Sequence, residues 1–230
     1  MNAFMDWLAQ LQWGSLIDLA VMAAAAVLCI TFHETCHGLA AYALGDPTAK
    51  RAGRLSLNPL KHVDLVGLAM LVVARFGWAK PVPINPGYFK QPKPGMAVTA
   101  LAGPVSNVLL SAIAAAGYTL SMFYAAWHEI TALEVLGEFF YYVFYLSAGL
   151  AVFNLLPVPP LDGSKVLFAI LPEDLYWKLM RYERYGMLLL MALLLTGALD
   201  VPLNFLRDGL IGFLVPISEW TLELLIAVHT

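Results

Sequence analysis

Residues 16–38 read LIDLAVMAAAAVLCITFHETCHG. The run from Leu16 to Phe32 is apolar and close to membrane-crossing length, since a helical span takes about 20 residues. It closes on His33-Glu34-Thr35-Cys36-His37. Histidines four apart on a helix share a face, because about 3.6 residues make a turn. Their imidazoles can grip one metal ion, and a glutamate beside the first can take a proton from a water bound to that ion. The plain alternative is a chance string on a solvated helix. The address weakens it, because ionisable groups at membrane depth are costly and mark function.

Composition fits that address. The 230 residues are 60% hydrophobic and 13% charged, whereas soluble domains are about half apolar and about a quarter charged. The expected fold is an all-α polytopic membrane protein with about five to six transmembrane helices. Residues 1–230 read as a single domain, with a core at about 15–171 and further C-terminal helices at 186–228. A net charge of −3, with no basic stripe and no nucleic-acid motif, argues against nucleic acid as a partner. No lysine or arginine precedes Lys50, so the start of the chain lacks the basic region of a signal peptide. The first apolar run is therefore expected to stay as a membrane helix. Cys29 and Cys36 lie about two turns apart on it, too far for a disulfide. The angle of Cys36 takes it off the His33/His37 face.

Along the chain, residues 1–13 read as interfacial, with Trp7 and Trp13 as anchors. The first span, about 15–32, continues as helix to Ala43, where Gly45-Asp46-Pro47 stops it. Residues 46–62 form a basic loop. Residues 65–76 are apolar but too short to cross. With the proline-rich segment 79–95 they predict a re-entrant or surface β-like hairpin near 65–86, with extended backbone at Pro81-Val82-Pro83 and Pro86-Gly87. Spans follow at about 99–123 and 133–155. Asn154–Gly163 breaks the helix with three prolines. A short helix resumes at 164–171, a charged loop covers 172–185, and helices at 186–199 and 209–227 complete the chain.

Lysine and arginine concentrate at 46–62, 79–95 and 172–185, so these segments are expected to face the cytoplasm. The histidine pair then sits at the cytoplasmic end of its span. A catalytic zinc takes three protein ligands and keeps a position open for water. His62, His128, His229, Glu134, Glu138 and Asp162 are the candidates for the third. Glu134 and Glu138 fall at the outer end of their span, most of a bilayer away. Asp162 follows a span that returns to the cytoplasmic side, and the prolines before it free the chain to aim a carboxylate. Depth therefore selects Asp162 over the plain reading of an Asp-Gly turn.

Together, HETCHG (33–38), AGPVSN (102–107) and NLLPVPPLDG (154–163) resemble the site-2 protease family of intramembrane zinc metalloproteases. GDPTAKRAGRLSLNPLKHVD (45–64) and FGWAKPVPINP (76–86) are similar to a compact bacterial branch of it, without PDZ or CBS domains. The resemblance implies His33, His37 and Asp162 as ligands of one Zn2+ per chain and Glu34 as the catalytic base. It also puts Asn107 and Asn154 in motifs near the site, with Asn154 holding the substrate backbone. Read on their own, both asparagines are equally candidates for helix-to-helix hydrogen bonding or for oxyanion donors.

The expected activity is hydrolysis of a peptide bond within or next to a transmembrane segment. The partners are a transmembrane protein or peptide and the lipid bilayer, with homo-oligomerisation left open. The expected location is the bacterial cytoplasmic (inner) membrane, with the active site towards the cytoplasm. A membrane zinc-binding or zinc-transport protein is the alternative. Transport would favour ionisable groups strung along a path, whereas here they gather at one end. Prenyl-protein endopeptidases would show further Glu/His motifs on separate helices, and a dead scaffold would have lost part of the set.

Overall fold

The computed structural model describes residues 16–62, 64 and 80–229, and among them every regular element is helical. Helix α1 (Leu16–Ala43) runs 28 residues, about 42 Å. It ends as the turn signal predicts. The Asp46 N–H donates to the Ala41 carbonyl at 2.9 Å and the Gly45 N–H to the Tyr42 carbonyl at 3.1 Å. Gly45 has φ +103°, the left-handed geometry that closes a helix end on its own carbonyls.

The basic segment that follows is not loop throughout. It holds a one-turn helix, α2 (Thr48–Arg51), and a 3-10 turn at Pro59–Lys61. The expected hairpin core at 65–76 and the interfacial residues 1–13 lie outside the described residues. Pro81-Val82-Pro83 lies in a stretch without regular secondary structure. Pro86-Gly87 is not extended: Pro86–Tyr88 forms a 3-10 turn, because the Asn85 side chain accepts the Gly87 N–H at 3.0 Å.

Helix α3 (Pro92–His128) starts seven residues before the predicted span, since proline is accepted in a first helical turn. Helix α4 (Thr131–Leu155) and the short α5 (Asp162–Ala169) flank the proline break. The predicted charged loop at 172–185 is instead helix α6 (Glu173–Tyr182) with a 3-10 turn at Glu183–Tyr185. Glu173 and Asp174 open α6 and Arg181 closes it, each charge opposing the helix dipole. Helix α7 (Gly186–Leu195) has ten residues and α8 (Asp200–His229) thirty. Among the described residues four helices are long and apolar enough to cross a membrane: Ile17–Ala43, Pro92–His128, Thr131–Leu155 and Asp200–His229. That is fewer than the five to six expected, and α7 at about 15 Å is too short to add one.

The chain divides into two compact units. One takes the described parts of residues 1–29, 107–153 and 187–230. Its core joins Ala25 and Cys29 with Ala114, Ala115, Tyr142, Val143, Phe144 and Leu214. Small residues let these helices approach, and hydroxyls tie them. Ser111 donates to the Phe144 carbonyl at 2.9 Å, Ser218 to the Ala115 carbonyl at 3.2 Å and Ser147 to Cys29 Sγ at 3.3 Å. Cys29 and Cys36 are both free thiols. Phe205 and Phe213 turn outward, each about three-quarters exposed, as side chains facing lipid would be.

The second unit takes 30–106 and 154–186. It packs Ala41, Phe89 and Met96 with Ile84. His33, His37 and Asp162 all belong to it.

Candidate metal centre

Helix α1 carries His33 and His37 one turn apart, both buried at 6% exposure, with their rings edge to face at 4.5 Å. Asp162, the first residue of α5, meets them. The His33 Nε2 to His37 Nε2 distance is 2.9 Å, and Asp162 Oδ2 lies 3.2 Å from the first and 3.1 Å from the second. Tetrahedral zinc with ligand bonds of about 2.0–2.1 Å spaces its ligands about 3.3–3.4 Å apart. The triangle is thus of the right kind, drawn slightly tight.

The His37 tautomer is fixed by its other nitrogen. Nδ1 lies 2.7 Å from the Thr99 carbonyl, which can only accept, so Nδ1 carries the proton. Nε2 of the neutral ring then offers a bare lone pair to the cluster. Burial alone would push the Asp162 carboxyl up. Where the His33 and His37 rings carry a proton on Nε2, their hydrogen bonds to it outweigh this and hold it below the usual carboxylate range. Two imidazoles and an anionic carboxylate converging inside a protein form the donor set of a divalent transition metal.

Further groups shape the site. A Cβ on Gly103 of α3 would come within 2.5 Å of both imidazoles, so this glycine lets α3 lie directly on the histidine pair. Asp162 Oδ1 faces Lys165 Nζ at 3.7 Å, and Lys165 in turn faces Glu183 at 3.8 Å. Glu34 is half-buried, and its Oε2 accepts the Val82 N–H at 2.9 Å.

The sequence-selected residues divide accordingly. His33, His37 and Asp162 form a group whose ligand atoms all lie within 4.8 Å of one another. Cys36 is not in that group. Asn107 is fully buried in α3, within the first unit. Asn154 is half-buried one residue before the end of α4. Sequence reading did not single out Thr99, Val82 or Lys165. Thr99 acts through its carbonyl, which no side chain advertises. Val82 had a visible signal: between Pro81 and Pro83 it holds the one backbone N–H. Lys165 stands three residues after Asp162, on the same helical face.

The chain was compared with known proteins. A Bacillus subtilis (strain 168) protein, "Putative zinc metalloprotease YwhC", is 39% identical over 172 residues, which cover 74% of this chain and 78% of that protein. A Mycolicibacterium smegmatis (strain ATCC 700084 / mc(2)155) protein, "Putative zinc metalloprotease Rip2", is 29% identical over 180 residues, covering 76% of this chain and 66% of that protein. No solved structure matches. The model of Peptidase family M50 matches residues 21–196, a range that includes His33, Glu34, His37 and Asp162. With three-quarters of its length inside that match, the chain belongs to peptidase family M50.

Proposed function

We propose that this chain is a zinc metalloendopeptidase of the site-2 type, hydrolysing a peptide bond within or next to a transmembrane segment of a membrane protein. The carrying observation is the convergence of His33 Nε2, His37 Nε2 and Asp162 Oδ2 at 2.9–3.2 Å, with the His37 tautomer set by Thr99. His33, His37 and Asp162 would hold one zinc per chain. Zinc, when bound, supplies a Lewis acid for the scissile carbonyl and makes water acidic enough to lose a proton near neutral pH. Glu34 takes that proton and later delivers it to the leaving nitrogen. Asn154, at the end of α4, is the proposed hydrogen-bond partner of an unwound substrate backbone.

The physical setting follows from the same reading. The lipid bilayer surrounds the apolar helices, the membrane is the bacterial inner membrane, and the site opens towards the cytoplasm. Residues 1–230 act as one proteolytic domain. The alternative, a membrane protein that binds or carries zinc without cleaving, is separated most directly at Glu34, because transport has no need of a base.

The test uses purified full-length protein in detergent and a panel of single-span transmembrane peptides. Glu34→Gln should keep zinc and lose cleavage by about 10²–10⁴-fold. Asp162→Ala should lose the zinc itself. Wild-type cleavage by Glu34→Gln, or full zinc occupancy in Asp162→Ala, would overturn the assignment.

A further inference from the structure

Arg54 is buried, at 7% exposure, and among the described residues it pairs with no carboxylate. Its Nη2 donates instead to two carbonyls, Lys80 O at 2.7 Å and Pro81 O at 2.9 Å. A buried guanidinium is costly to keep and is tolerated when its donors are used. The use made of this one is specific. The Pro81 carbonyl and the Val82 N–H are the two ends of a single planar peptide group, pointing in opposite directions because the bond is trans. One end receives Arg54, and the other donates to Glu34 Oε2 at 2.9 Å. A fixed cation and a carboxylate thus face each other through one rigid dipole, each bond polarising the other.

The flanking sequence leaves this peptide little freedom. Pro81 and Pro83 contribute no N–H, and Pro83 confines Val82 to extended backbone. The Lys80 N–H is taken by the His62 carbonyl at 2.9 Å. The polar backbone groups at 80–81 and the Val82 N–H are therefore already committed within the chain, to Arg54, His62 and Glu34.

We propose that Arg54 is a positioning residue for Glu34, acting through the Pro81–Val82 peptide group. The inference rests on Glu34 being the base. Misplacing a catalytic group by about 1 Å costs about a hundredfold in rate, so the expected effect falls on kcat.

The test compares wild type, Arg54→Gln, Arg54→Lys and Glu34→Gln as full-length protein in detergent. Zinc content, kcat and KM are measured on a transmembrane peptide that wild type cuts, and amide hydrogen exchange is followed by mass spectrometry. A fragment covering 80–83 reports the Val82 amide alone. The Asn85 amide, held by Asp46 Oδ2 at 2.7 Å, is the internal reference. In Arg54→Gln we expect Val82 exchange at least about tenfold faster with Asn85 unchanged, kcat lower by about ten- to a hundredfold, and KM and zinc near wild type. Arg54→Lys, which still offers a cation to the carbonyls, should recover part of both losses. A structural role alone would loosen Val82 and Asn85 together, and that result would overturn the proposal. So would wild-type Val82 protection and kcat in Arg54→Gln or, should the glutamine variant not fold, a kcat loss in Arg54→Lys with Val82 protection unchanged. Continued cleavage by Glu34→Gln would sink the base assignment instead. If no peptide is cut, the exchange arm still decides whether Arg54 holds the peptide that holds Glu34.

Discussion

Gly103 shows how one hydrogen atom in place of a side chain decides whether the metal centre can form. Glycine inside a helix normally costs about 1 kcal/mol relative to alanine, so Gly103→Ala should favour α3 if helix propensity ruled. It does not rule here, because the added Cβ would meet His33 Cε1, His37 Cε1 and His37 Nε2 at 2.5 Å, and overpacking of that kind costs about 1–3 kcal/mol. The clash also lands on the rings proposed to hold the metal, so it would move their donor atoms. We predict that Gly103→Ala weakens zinc retention at least about tenfold in a competition titration. Gly212→Ala, where an added Cβ meets nothing within 4 Å, should leave zinc binding and the unfolding midpoint unaffected or raise the midpoint slightly. Equal zinc affinity in Gly103→Ala and wild type would show that the imidazoles can move aside. At this scale the sequence is legible where side chains do the work: helical spacing brings His33 and His37 to one face, and depth selects Asp162. It is silent where a backbone group acts with no such mark, as at the Thr99 carbonyl.

Elements were legible where the hydrophobic pattern was long and the stop signal strong. Helix α1 ends where Gly45-Asp46-Pro47 predicts, because that tripeptide supplies a left-handed closure and a residue unable to continue the helix. The segment at 172–185 predicts a loop because its charges dominate a short window, and packing through the buried Tyr176 of α6 leaves no mark on a hydropathy profile. Asp46 illustrates a joint of this kind. One oxygen accepts the Thr48 N–H at 2.9 Å and the Thr48 hydroxyl, and the other accepts the Asn85 N–H at 2.7 Å. Its carboxylate thus ties the end of α1 to the start of α2 and to the turn before α3. Burial pushes its carboxyl up, but the Asn85 and Thr48 hydrogen bonds, with Arg51 nearby, hold it below the usual range. A depressed folded value means the contribution is complete above the unfolded value of about 3.9 and is lost as pH falls through the folded one. Asp46→Asn removes the charge and turns one acceptor into a donor facing an N–H, a change worth about 1–3 kcal/mol. The variant should therefore unfold earlier than wild type at pH 7 in detergent. That gap should narrow as pH drops below about 4, and a gap independent of pH would show that the Asp46 charge contributes nothing.

For the whole molecule, the apolar composition predicted a bundle of membrane helices. What composition could not reveal is that residues 129 positions apart, His33 and Asp162, close a single centre in the second unit. Bringing such distant groups together costs loop-closure entropy that grows slowly with separation, and a bound metal offsets it because the unfolded chain has no formed site. Zinc should therefore act as a staple between α1 and α5 as well as a reagent. A ligand at about a hundred times its Kd stabilises the folded state by about 2.7 kcal/mol, and the stabilisation should be local to the elements it joins. We predict that chelation accelerates amide exchange in α5 and in the 156–161 turn by about tenfold or more. Helix α8, which contributes nothing to the cluster, should keep its protection. Asp162→Ala, lacking one arm of the staple, should show the fast pattern with or without chelator. If chelation left α5 unchanged, the three ligands would be held by packing alone. If it loosened α8 as much as α5, zinc would be supporting the bundle at large and not one joint within it.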